Sequence, residues 1–107
     1  KEGGFIRLAA LAPRMVLGEG IESSLSASEI SGRPALAAVT SENMAKLAII
    51  DGVTDYLIAF DRDAHGQGLK AGRALAKRLF DAGLTARAYP PPRDCKDWND
   101  LSQRRRV

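Results

Sequence analysis

The chain has 107 residues, of which 45% are hydrophobic and 27% charged, with a formal net charge of +3. That length and balance give one domain with a core of its own and exclude disorder over most of the chain. No apolar run approaches the roughly 18 residues needed to cross a bilayer, the N-terminus lacks a signal-peptide pattern, and a lone cysteine beside a lone histidine excludes an internal disulfide and an ordinary structural zinc site, so the expectation is a soluble, cytoplasmic protein in a reducing compartment.

Residues 5–9 are rich in strand formers and lie between Gly3-Gly4 and Pro13, which predicts a short first strand. Residues 15–17 form a second apolar run that ends at Gly18-Glu19-Gly20. From Ile21 the apolar positions Ile21, Leu25 and Ile30 recur at helical spacing, which predicts a helix with those residues on its inner side, stopped by Gly32 and Pro34. Residues 35–39 read as a small apolar strand. Thr40-Ser41 then offers an N-cap for a helix from Glu42 to about Leu47.

Residues 56–60 are a continuous apolar run between Asp55 and Asp61, the pattern of a central strand covered on both faces. A helix is predicted over 67–82, with Leu69, Ala76, Leu79 and Phe80 on one side and Gly83 as its stop. Residues 85–89 make a last strand, closed by Pro90-Pro91-Pro92. Strands alternating with helices imply βαβ crossovers. The expected fold is α/β, with a mainly parallel sheet of about four strands flanked by helices and an extra N-terminal strand. A single domain over 1–107 is expected.

Ligands bind outside the carboxyl ends of parallel strands, and acids collect there. Glu19 follows the second strand, Asp61 and Asp63 follow the central strand, and Asp94, Asp97 and Asp100 follow the last. Carboxylates gathered on one rim repel one another and call for a cation. Hard oxygen ligands suit Mg²⁺ or Mn²⁺, which keep water and are often completed by phosphate. The glycines beside Glu19 are expected to allow a tight turn. For a single strand-end aspartate, turn-making or helix capping is the plainer role.

Leu17-Gly18-Glu19-Gly20-Ile21-Glu22-Ser23-Ser24-Leu25-Ser26, Tyr56 to Gly66 with its Asp61-Arg62-Asp63, and Lys96-Asp97-Trp98-Asn99-Asp100-Leu101 together resemble the Toprim family, the catalytic domain shared by topoisomerases, bacterial-type DNA primases and some nucleases. The first segment is similar to the family's glutamate motif, the second to its DxD motif, and the third to an acidic element of primase-type members. The resemblance spans roughly residues 15–101. It implies that Glu19 is the general acid/base or a metal ligand, that Asp61 and Asp63 hold Mg²⁺, and that Asp97 contributes. Asn99 stands where the family has a carboxylate, with Asp100 as a substitute. The primase-like branch of phage and plasmid replication or mobilisation proteins is implied, so the chain is expected to be part of a longer polypeptide, with helicase, zinc-binding or relaxase segments as neighbours. No segment resembles the active-site tyrosine region of a topoisomerase.

Carboxylate-held magnesium neutralises charge and aligns oxygens in phosphodiester transfer. Residues 1–61 carry 5 basic and 8 acidic side chains, and residues 62–107 carry 11 and 5. The basic half is where a polyanion would be met. Lys70, Arg73 and Lys77 form a stripe on the longest helix, and Lys96 lies beside the last acidic element. These four are candidates for phosphate or nucleotide contact, the alternative being a solvated face. Glu22 either faces the site or caps its helix. His65 reads as an exposed loop residue, Cys95 as an incidental thiol, Arg104 to Arg106 as a chain-end run, and Trp98 as an anchor rather than a base-stacking platform.

The expected function is magnesium-dependent nucleotidyl transfer on single-stranded DNA, with nucleotides as co-substrates and no membrane partner. The alternatives are a Toprim nuclease and a non-catalytic nucleic-acid-binding module with a vestigial metal site. A phosphate-receiver domain is disfavoured, because no strand-end lysine follows residues 85–89, where the prolines stand.

Overall fold

The computed structural model describes residues 4–61, 66–91 and Trp98. Among these the elements run β1 (Ile6–Arg7), β2 (Arg14–Gly18), α1 (Ile21–Ser31), β3 (Ala35–Ala37), α2 (Ser41–Ala45), β4 (Asp55–Ala59), α3 (Gln67–Asp81) and β5 (Thr85–Tyr89). They form a five-stranded sheet in the order β1-β3-β2-β4-β5. β3, β2, β4 and β5 are parallel, and β1 pairs antiparallel with β3 at the edge. This is the expected α/β architecture with its additional N-terminal strand, although β1 is only 2 residues long.

Strand order fixes where a ligand can enter. The chain steps from β2 to β3 in one direction, then returns past β2 to β4 and on to β5. The reversal lies between β2 and β4, and the crevice at such a switch point opens at the carboxyl ends of the strands. Glu19 follows β2 directly and Asp61 lies two residues past the end of β4. Register alone brings them near one another, because Gly18 pairs with Ala59 and neighbouring strands lie about 4.8 Å apart.

Alternation along each strand splits the core in two. Met15, Leu17, Leu36, Tyr56 and Ile58 face α2 and α3 and pack with Met44, Leu75 and Leu79. Val16, Ala35, Leu57 and Ala59 face α1 and pack with Ala27 and Trp98. Burial on both faces explains the unbroken apolar run of β4.

The inner side of α1 departs from the expectation. Ile30 packs against the core as expected, but Ile21 and Leu25 are exposed, and the buried face is Ser23, Ser24, Ser26 and Ala27. Close packing is the reason. A Cβ on Gly18 would stand 2.8 Å from the Ser24 Cα, so helix and strand approach at a distance that only small side chains permit. Gly18 therefore serves packing rather than a turn, and Gly20 has an ordinary extended conformation, with φ −95°. In α3, Leu79 is buried as expected but Phe80 points outward, 73% exposed, and Gly68, Ala71, Gly72 and Leu75 complete the inner face. Arg78 ties α3 to the end of α2 by donating to the carbonyls of Ala45 and Leu47.

Thr40 caps α2 as the sequence suggests, its hydroxyl accepting from the Asn43 N–H at 3.0 Å. No helix among the described residues is long and apolar enough to cross a membrane.

Candidate functional site

Glu19 is half-buried on the short connection between β2 and α1. Its carbonyl accepts the N–H of Val39 at 2.5 Å, just as the carbonyl of Gly18 accepts that of Ala38 at 2.9 Å. These bonds extend the β2–β3 pairing past the last strand residues and fix the backbone that carries the glutamate. Val39 has φ 81° and is 53% exposed. The left-handed region costs an L-residue about 1–2 kcal/mol, and a β-branched side chain there is a true outlier. Such strain persists only where surrounding contacts impose it, and it clusters at functional loops.

Asp61 is held from two directions. The Ser23 hydroxyl lies 2.9 Å and 3.1 Å from its carboxylate oxygens and donates to the pair, while the backbone N–H of Trp98 donates to Oδ1 at 3.3 Å. Trp98 is itself fixed, 2% exposed, with its ring centroid 4.4 Å from that of Tyr89 and its Nε1 donating to the Tyr89 carbonyl at 3.2 Å. The tryptophan is thus an anchor. Helix α1 and the chain beyond β5 converge on one aspartate at the end of β4.

Ser23 is the residue whose part sequence reasoning missed. Its signal was a run of small residues on the helix immediately after Glu19, where the apolar spacing of Ile21 and Leu25 drew attention to the opposite side.

Glu22 is exposed in the first turn of α1, and Lys70, Arg73 and Lys77 lie on the outer side of α3. Lys70 belongs to the turn nearest the strand ends. Lys77 is two turns further, about 10 Å along the axis, and pairs with Asp81 at 2.9 Å. Asp63, His65, Cys95, Lys96, Asp97, Asn99, Asp100 and Arg104 to Arg106 lie outside the described residues.

Among the described residues no group of three or more His, Cys, Asp or Glu side chains forms a metal cluster. The described part of the expected ligand set is Glu19 and Asp61. Both supply the hard oxygen donors that Mg²⁺ prefers, and the bonds to Asp61 from Ser23 and Trp98 are the outer support that orients a ligating carboxylate. The residues present fit the ion. A separate cleft of about 530 Å³ opens at the end of β3, with Phe5, Ile6 and Val39 among its walls, but neither carboxylate lines it.

Residues 14–106 match the Toprim domain. No curated protein matches the chain. The match takes in every strand of the parallel sheet and both strand ends that carry Glu19 and Asp61. The chain therefore belongs to the Toprim domain family, whose members are metal-dependent modules that process nucleic acids.

Proposed function

We propose that this domain is the magnesium-dependent catalytic part of a DNA primase-like protein and supports nucleotidyl transfer on single-stranded DNA. The observation that carries the reading is the convergence of α1, β4 and Trp98 on Asp61, one strand away from Glu19, at the switch point of the sheet. In this reading Asp61, Asp63 and Asp97 hold Mg²⁺, which when bound offsets the negative charge that develops on the transferring phosphoryl group. Glu19 accepts the proton of the attacking 3′-hydroxyl, the new O–P bond forms at the α-phosphorus of a nucleoside triphosphate, and pyrophosphate leaves. Ser23 and the Trp98 N–H keep the Asp61 carboxylate in one orientation, so it need not reorganise when charge develops. Lys70 and Arg73, on the first turns of α3, meet triphosphate or template phosphate, as does Lys96. The domain works as one part of a longer polypeptide.

Incubation with a single-stranded template, nucleoside triphosphates and Mg²⁺ tests this. New oligonucleotide is expected, abolished by chelation, and lowered at least about 100-fold by Glu19→Gln, the usual scale for losing a general acid/base. Asp61→Asn should act in the same direction. Shortening of a labelled template without synthesis would replace the reading with a nuclease, in which water takes the place of the 3′-hydroxyl. Oligonucleotide binding with neither activity, in this chain and in its full-length parent, would leave a binding module.

A further inference from the structure

A second concave surface lies on the α1 face of the sheet, away from α3. It is a groove of about 410 Å³ with Arg14, Arg33, Arg87 and Tyr89 in its walls and Leu57 in its lining. Its position follows from strand register. Leu57 belongs to the core on the α1 side, Arg87 is its partner on β5, and Tyr89 is the partner of Ala59 on the same face. Among the described residues, helix α1 lies over β2, β3 and β4, and the edge strand β5 keeps Arg87 exposed beside it.

Among the described residues that line this groove, the charged side chains are all arginines. Arg33 is buried and donates through Nη1 to the Asp55 carboxylate at 3.0 Å and to the carbonyl of Asp55 at 3.3 Å. Arg14 lies 3.6 Å from the other Asp55 oxygen, with its side chain 70% exposed. Arg87 is exposed on the edge strand. Two guanidiniums thus stand around one carboxylate while Arg87 adds a third to the groove wall, and Arg14 and Arg87 present planar donor forks of the kind that grip phosphate in pairs of bonds. The groove also leads somewhere. Tyr89 forms its upper wall and stacks on Trp98, whose N–H holds Asp61.

We propose that this groove carries the phosphodiester backbone of single-stranded nucleic acid toward the Glu19 and Asp61 end of the sheet. The proposal rests on the nucleic-acid reading of the domain but needs neither the metal nor the chemistry. It assigns backbone contact to Arg14 and Arg87, on the sheet face opposite α3, and Arg33 holds the Asp55 carboxylate that Arg14 also approaches.

Binding of a labelled oligothymidylate to the whole 107-residue chain, followed by fluorescence anisotropy across a salt series with chelator present, tests the groove apart from catalysis. Arg14→Ala and Arg87→Ala, both at exposed side chains, should leave the thermal midpoint in place. Each should flatten the slope of log affinity against log salt by about 0.7, the value of one single-strand phosphate contact. The double variant should bind at least about tenfold more weakly at low salt, and Arg87→Lys should keep most of the slope. Unchanged binding by the double variant overturns the proposal, as does loss that follows only Lys70→Ala and Arg73→Ala. Inorganic phosphate displacing the oligonucleotide at matched ionic strength and millimolar concentration would reassign the groove to a free anion, and also overturns it. Failure of Mg²⁺-dependent synthesis, with this salt dependence intact, would count against the primase reading alone.

Discussion

Ser23 has a hydroxyl that both oxygens of Asp61 share, and nothing in its residue type announces the part it plays. A serine at a buried helix position usually bonds back to its own helix, as Ser24 does to the Gly20 carbonyl at 2.6 Å. Ser23 instead reaches across to another strand, because α1 lies so close over Gly18 that a hydroxyl is long enough to span the gap. Removing it takes away the side-chain hydroxyl that spans both carboxylate oxygens and loosens the orientation of the carboxylate. Outer contacts of this kind are worth about 10–100-fold in metal affinity. Ser23→Ala is therefore expected to weaken Mg²⁺ binding by about tenfold, read by calorimetric titration or by the metal-induced rise in thermal midpoint. Ser23→Thr should restore part of it. The stability of the metal-free fold should change by no more than about 1.5 kcal/mol, the worth of one ordinary hydrogen bond. Unaltered metal affinity in Ser23→Ala would remove the serine from the site.

At the scale of elements, α3 and β4 were legible because each carries one unambiguous period, 3.6 residues for the helix and an unbroken apolar run for the strand. Helix α1 was legible in extent but not in orientation. Its inner face is chosen by how near the strand comes, a distance that no local pattern encodes, and the cost is two exposed aliphatic residues on the outside. The joint made by Asp55 was not legible either, since an aspartate at a strand start reads as punctuation. In the fold it gathers Arg33 from beyond α1, Arg14 from β2 and its own β4 at the amino ends of the strands. Breaking a buried pair strands a charge, at about 3–5 kcal/mol. Two backbone carbonyls also accept from Arg33, so Asp55→Ala should cost about 3 kcal/mol, the lower end of that range, measured by urea unfolding. The exposed Arg14 contact adds little. Combining the change with Arg33→Met should recover stability, because an apolar replacement no longer leaves an unpaired charge. A double variant weaker than Asp55→Ala alone would show that Arg33 matters through its carbonyl bonds and its packing rather than through the pair.

For the molecule as a whole, composition and element order were enough to reach the parallel sheet, and strand-end acids were enough to point to its carboxyl edge. The partners that hold Asp61 come from elements remote in sequence, so only the fold could reveal them. Global stability also depends on a group far from that edge. Tyr56 is fully buried near the amino end of β4, and its hydroxyl accepts the Ile50 N–H at 3.2 Å. Burial pushes the phenol above its ordinary value of 10.0, and the bond from Ile50 offsets this only in part. The folded chain therefore keeps the proton to a higher pH than the unfolded chain does. The resulting stability is complete below about pH 10, where both states are protonated, and drains away as the pH rises through the raised value of the folded state. Tyr56→Phe lacks this loss but orphans the Ile50 N–H, a cost of about 1–3 kcal/mol at neutral pH. Wild type should thus start the more stable of the two and fall faster in alkali, so that the gap between their unfolding free energies narrows from about pH 9 to about pH 11. Every other side chain is common to the two proteins, so its contribution cancels in the difference. A gap that stays constant across that range would mean that the Tyr56 phenol ionises alike in the folded and unfolded chains, and that its burial does not govern alkaline unfolding.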